Sequence, residues 1–178
     1  VEKGALDGLY INTSGIGTIT DGINPGGNMA REGDIVIVSG FVGDHGIAVM
    51  AAREKMDLPA EIRSDAAPLN HLVQEILGVC PGVRVLRDPT RGGLATTLNE
   101  IAAQSHISIE AYEDNIPVRE AVRAACEIFG FDPLYIANEG KLAAVIPPET
   151  AEAVLETMRR TKYGENARVL GEVTGGRS

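Results

Sequence analysis

Apolar and polar positions along the chain fall into short alternating blocks. Residues Asp34–Gly40, DIVIVSG, form a β-branched run with glycine at each flank, and this predicts a buried strand. In FVGDHGIAVMAAREK, Ile47, Met50 and Ala51 share one face of a helix, which Gly43-Asp44 would open with Asp44 as cap. Leu69, Leu72, Val73 and Ile76 carry helical spacing within Asp65–Leu77, and Gly78 and Pro81 end that run. A strand GVRVLRD, a helix from Leu94 to about Ser105, and a strand ISIEAY follow. The pattern then predicts a helix over Val118–Phe129, a strand KLAAVIP, a helix over Glu149–Thr161 and a strand ARVLGEVT. Nearer the start, Gly8–Thr20 alternates loosely, as two short strands or a hairpin would. The glycine-rich Asp21–Asp34 is turn chemistry and marks a boundary, giving a small piece over 1–30 and a main domain over 31–178. About five strands separated by helices predict an α+β fold: helices layered on one mixed sheet.

Composition narrows the picture. Hydrophobic residues make up 44% of the 178, but only three Phe and four Tyr are present and no Trp, so aliphatic side chains must build the core. The formal net charge is −9 with no long basic run, which argues against nucleic acid or an anionic membrane surface as partner. No apolar stretch reaches the roughly 20 residues that span a bilayer. Cys80 and Cys126 stand far apart without a C-x-x-C spacing. They read as buried free thiols of a protein in a reducing cytoplasm.

Chemistry concentrates in LRDPTRGGLATTLNE, Leu86–Glu100. Here a strand runs through Asp88-Pro89-Thr90-Arg91 and Gly92-Gly93 into a helix, so first-turn N–H groups and the helix dipole would face a cleft. Bare backbone at both glycines would let a phosphate approach, Arg87 and Arg91 could hold its oxygens, and Asp88 could bind Mg²⁺ or cap the turn. The Lys-Ser/Thr ending of a P-loop is absent. A helix entry packed tightly on its strand, with Arg91 paired to a carboxylate, explains the same residues without a ligand. GDHG, Gly43–Gly46, is a second turn of this kind, for which simple capping with His45 on the surface is the plainer account. His71 and His106 lie on predicted helices with no partner at metal-ligand spacing. In IANEGKL, Asn138, Glu139, Gly140 and Lys141 interrupt two apolar runs. An acid at that turn is either a general base, if partly buried, or a solvated corner.

Together, RDPTRGGLATTLNEIA, SGFVGDHGIAVMAAR and IANEGKLAAVIP resemble the HypE family of hydrogenase maturation proteins. That family lies in the superfamily of aminoimidazole ribonucleotide synthetase, selenophosphate synthetase and thiamine-monophosphate kinase. The resemblance runs the length of the chain, and its most specific segment is the first. It implies a fold like the C-terminal domain of aminoimidazole ribonucleotide synthetase. It also implies a cytoplasmic ATP-dependent dehydratase that turns the S-carboxamide of its own C-terminal cysteine into a thiocyanate, the source of cyanide ligands for nickel–iron hydrogenases. The cofactors implied are ATP and Mg²⁺. The partners implied are the carbamoyltransferase HypF, the HypC–HypD iron-cyanide assembly complex and a second copy of the full-length chain. By the same resemblance Glu139 and Lys3 are the catalytic pair, and Asp88, Thr90, Arg91, Gly92 and Gly93 line the phosphate end of the cleft.

The chain opens at Val1 in VEKGALDGLYINTSGIGTI and stops at GEVTGGRS, so a piece of a longer polypeptide is expected. Residues 1–30 would then be the remnant of an N-terminal ATP-binding domain plus linker, and the Pro-Arg-Ile-Cys tail would lie beyond the chain. Cys80 and Cys126 are not that tail cysteine, and this piece alone is expected to be inactive. Two other readings stay open: a different superfamily enzyme acting on a small molecule, and a non-catalytic dimerisation or docking module using a strand edge near Val1–Thr20.

Overall fold

A computed structural model describes residues 11, 14–19, 21–56, 59 and 62–176. Lys3 and residues 8–10, 12, 13 and 20 of the expected Gly8–Thr20 hairpin lie outside these; 11 and 14–19, which are described, carry no strand. The main elements are β1 (Ile35–Val38), α1 (Asp44–Glu54), α2 (Asn70–Val79), β2 (Val85–Arg87), α3 (Gly93–Ser105) and β3 (Ser108–Ala111). After them come α4 (Glu120–Phe129), β4 (Ala143–Ile146), α5 (Pro148–Arg160) and β5 (Arg168–Thr174). A 3₁₀ turn at Pro133–Tyr135 precedes β4.

Among the described residues the strands form a single five-stranded sheet in the order β2-β4-β1-β5-β3. The layered α+β arrangement is the expected one, and the structure is more specific than a mixed sheet: all four pairings are antiparallel. Both faces are covered, which is why IVIV and AAVI are apolar without alternation. Ile37, Ala144 and Ile146 pack with Leu72 and Ile76 of α2 and Val154 and Met158 of α5. Val36, Val38, Ala143 and Val145 face the other way, onto Leu94 and Ile101 of α3. Helices α1 and α4 meet each other through Ile47, Val122 and Cys126.

Two helix entries differ from the pattern. Helix α2 begins at Asn70 rather than Asp65. Pro68 disfavours helical geometry at Ala67, and the Asp65 carboxylate is engaged elsewhere, as described below. At α1 the cap position is Gly43, with φ +91°, and Asp44 is the first helical residue with its carboxylate turned to Arg119. Likewise His106 is not helical but closes α3 in the left-handed region, with φ +55°.

The pairing order positions the site. Strands β1 and β2 both lie antiparallel to β4, one on each side, so they run parallel to each other. Val38 and Arg87 both register with Ala143. Consequently the turn after β1 (GDHG), the turn after β2 (DPTRGG) and the turn before β4 (NEGK) emerge at the same end of the sheet.

Candidate functional site

Asn138 joins these three turns. It is wholly buried. Its Oδ1 accepts the Gly43 N–H at 2.8 Å, and its Nδ2 donates to the carbonyls of Pro89 at 2.9 Å and Ile136 at 3.1 Å. Its own N–H also donates to the Pro89 carbonyl, at 3.2 Å. One side chain therefore fixes the spacing of segments distant in sequence, and each of its contacts replaces water for a buried backbone group. Sequence reasoning placed Asn138 among the polar residues of a turn and gave it no role.

The DPTRGG turn opens onto a cavity of 580 Å³ lined by Arg87, Asp88, Thr90, Arg91, Gly92, Thr96, Thr97 and Glu100. Five expected residues meet different fates around it. Asp88 and Arg91 are exposed, and Arg91 has no carboxylate partner among the described residues. Thr90 and Gly92 line the cavity wall. The ion pair anticipated for Arg91 belongs instead to Arg87, whose guanidinium meets Glu100 of α3.

Gly93 is buried and turned away from the cavity. Its N–H donates to the Thr90 carbonyl at 3.0 Å, and a Cβ would fall 2.4 Å from the Leu134 carbonyl oxygen. Its missing side chain thus answers close packing of α3 on the 3₁₀ turn, at a φ of +65° that other residues resist. Gly93→Ala is expected to destabilise the chain by about 2–3 kcal/mol through overpacking and strain, read as a lowered melting temperature.

The NEGK turn borders a second cavity, of 260 Å³, lined by Asp44, Arg63, Ser64, Asp65, Arg119 and Lys141 among others. Glu139 itself is exposed, so the partial burial required of a base is not present in the chain as described. Its N–H donates to Asp65 Oδ1 at 2.9 Å. Asp65 Oδ2 lies 3.3 Å from Lys141 Nζ, an ion pair by distance without aligned hydrogen-bond geometry. Asp44 Oδ2 accepts from Arg119 Nε at 3.1 Å, and Arg119 also lies 4.2 Å over the Phe41 ring. Neither Asp65 nor Arg119 was singled out from the sequence. Asp65 read as a helix residue, and nothing in the local pattern links it to a turn 74 positions away.

Burial pushes the Asp44 carboxyl above its ordinary value of 3.8, against the opposing pull of Arg119. The folded chain then holds this proton more tightly than the unfolded chain. The contribution to stability is fully present at acid pH and is lost as pH rises from 3.8 through the raised value. Asp44→Asn is accordingly expected to flatten the dependence of unfolding free energy on pH in that window, as read by denaturant titration across pH. An unchanged slope would contradict the assignment.

His45 Nδ1 and Ser64 Oγ are 2.9 Å apart at the cavity rim, while His71 is exposed beside Glu75. Cys80 and Cys126 are free and buried. Burial, with Asp132 adding to it, pushes the Cys126 thiol up and away from thiolate reactivity.

Residues 31–178 match the family of AIR synthase related proteins, C-terminal domain. The chain belongs to that family. Within it, this domain is 52% identical to the carbamoyl dehydratase HypE of Cupriavidus necator, over 97% of the chain and 49% of that protein. It superposes on HypE in a HypE–HypF complex with TM-score 0.84 and 46% identity, covering 88% of the chain and 51% of the other. A HypE solved in complex with ATP gives TM-score 0.83 and 47% identity over 85% of the chain and 45% of the other. This AIR synthase related domain therefore spans about half the length of the relatives it matches. Among its described residues, no helix is long and apolar enough to cross a membrane.

Proposed function

We propose that the chain is the C-terminal domain of an ATP-dependent carbamoyl dehydratase of nickel–iron hydrogenase maturation, acting on an S-carboxamide carried by the full-length protein's own terminal cysteine. The observation that carries this reading is the convergence of the DPTRGG and NEGK turns, through Asn138, at one end of the sheet. An anion-competent cavity and an acid-bearing turn are thereby held in fixed relation. The similarity to the carbamoyl dehydratase of Cupriavidus necator and to a HypE that binds ATP supports the choice of reaction.

The residues fit a phosphate chain carrying Mg²⁺. A volume of 580 Å³ lies within the range of small-molecule pockets, roughly 300–1,000 Å³. Arg91 offers a guanidinium with no carboxylate partner among the described residues, Thr90 a hydroxyl and Gly92 a backbone without a side chain of its own for phosphate oxygens; Asp88 offers a carboxylate to the metal. When bound, Mg²⁺ neutralises charge on the phosphates. Gly93 contributes by placing the helix entry rather than by touching the nucleotide.

In this reading the carboxamide oxygen takes the phosphoryl group of ATP, the nitrogen gives up both protons, and phosphate leaves as the carbon–nitrogen triple bond forms. Glu139 is the carboxylate that accepts the protons from nitrogen in turn, passing the first to solvent, and the resemblance assigns Lys3 as its charged partner in catalysis. Arg91 and the Thr90 hydroxyl hold the transferring phosphoryl where its charge develops. The exposure of Glu139 suits an acid that the rest of the protein and the substrate tail cover on assembly. HypF would supply the carboxamide and the HypC–HypD complex would take the cyanide, in the cytoplasm and from a homodimer of the full-length protein. The 178-residue chain alone would be inactive.

Phosphate release tests this reading. The carbamoylated full-length protein should release one phosphate for each adduct converted, and a tail cysteine-to-alanine variant should release none. Phosphate release independent of the adduct would point instead to a small-molecule synthetase or kinase.

A further inference from the structure

We propose that Asp65 is the positioning residue for Glu139, an inference that rests on the reading of Glu139 as the proton acceptor. Glu139 has an exposed side chain, so its location depends on the backbone that carries it. That backbone is clamped. Asp65 Oδ1 accepts the Glu139 N–H at 2.9 Å. The next residue, Gly140, is pressed on the same segment so tightly that a Cβ would lie 1.9 Å from the Asp65 carbonyl oxygen and 2.8 Å from the Ala67 nitrogen. Lys141, one residue further, places its ammonium 3.3 Å from Asp65 Oδ2 and donates to the Gly140 carbonyl at 3.2 Å. Three successive residues of the turn thus meet one aspartate and its neighbours.

The arrangement is costly for a purely structural device. The Asp65 and Lys141 side chains are only 4% and 13% exposed, and buried ion pairs of this kind contribute little net stability. Asp65 also lies in SDAAPLN, where its carboxylate is diverted from any helix-capping role to a turn 74 residues away. A charged acceptor makes a stronger hydrogen bond to N–H than a neutral one, so it holds the Glu139 backbone against the freedom expected of a loop. Oδ1 is taken by the Glu139 N–H, and Oδ2 is buried within ion-pair distance of Lys141, so Asp65 acts through Glu139 rather than on the substrate.

The test uses the full-length protein with a carbamoylated tail. Asp65→Ala is expected to slow dehydration by about 10- to 100-fold, the cost of misplacing a reacting group by an ångström or so, with the KM for ATP unchanged. Asp65→Asn keeps an acceptor for the N–H and should remain within about fivefold of the parent, as a weaker neutral hydrogen bond allows. In a Glu139→Gln background, Asp65→Ala should cost nothing more, because residues acting as one unit are not additive. Hydrogen exchange at the Glu139 amide should quicken in Asp65→Ala. Should that variant fail to fold, Asp65→Glu, whose longer arm displaces the same acceptor, is read in the same way. Losses that multiply between Asp65→Ala and Glu139→Gln would overturn the positioning role while leaving Glu139 as base. Asn as damaging as Ala would overturn it too. A Glu139→Gln variant that reacts at the parental rate would instead remove the reading of Glu139, and the positioning role with it.

Discussion

Asn138→Ala is expected to lower the unfolding free energy by about 2–4 kcal/mol, because it leaves buried backbone groups without partners. The Gly43 N–H loses its acceptor outright, and the Pro89 and Ile136 carbonyls lose the Nδ2 donor; Pro89 retains the main-chain contact from residue 138. Asn138→Asp should be no milder. It keeps an acceptor for Gly43 but turns an oxygen toward two carbonyls and brings a charge into a wholly buried position. Urea unfolding of both variants checks this expectation, and losses under about 1 kcal/mol would show that the three turns keep their arrangement without the hub. The consequence for function is separate from stability. Displacing either turn moves the phosphate-side residues relative to the acid, so the surviving folded fraction should also be impaired.

Glu139→Gln is expected to reduce carboxamide dehydration in the full-length protein by about 10²–10⁴-fold, the usual contribution of a positioned base. Glutamine keeps the size of the side chain and its exposure, so the fold should be unaffected. ATP affinity should stay within about twofold, since uniform binding of the nucleotide involves the other cavity. Single-turnover kinetics on the carbamoylated protein separates the two effects. A variant whose chemistry is intact but whose ATP binding is weakened would assign residue 139 to nucleotide contact instead.

Periodicity made most of the secondary structure legible, because both sheet faces are covered and the strand cores IVIV and AAVI carry no competing signal. It failed where a side chain is used at long range. Asp65 looked helical because the spacing of Leu69, Leu72 and Ile76 extends smoothly back to it, yet its carboxylate belongs to the Glu139 turn. Asp44 had the right residue type for a cap, but Gly43 takes the cap position and Arg119 takes the carboxylate.

The candidate site was legible as motifs and not as an arrangement. Nothing in DPTRGG or NEGK states that they are neighbours; that follows from β1 and β2 flanking β4, a pairing order that local sequence does not encode. Asn138 was hidden for a related reason. A polar residue between apolar runs looks solvated until long-range partners are known. Gly93 shows the reverse ambiguity, since a bare backbone suited to phosphate is equally suited to a carbonyl 2.4 Å from where a Cβ would be.

The central claim is that this domain serves dehydration of a carboxamide on the protein's own tail. Mass spectrometry of the C-terminal peptide tests it most directly, using the full-length protein carbamoylated by its partner, before and after Mg-ATP. The account predicts an adduct on the terminal cysteine that loses the mass of one water when ATP is added. A terminal peptide without a cysteine adduct, or an adduct unchanged by ATP, would contradict it.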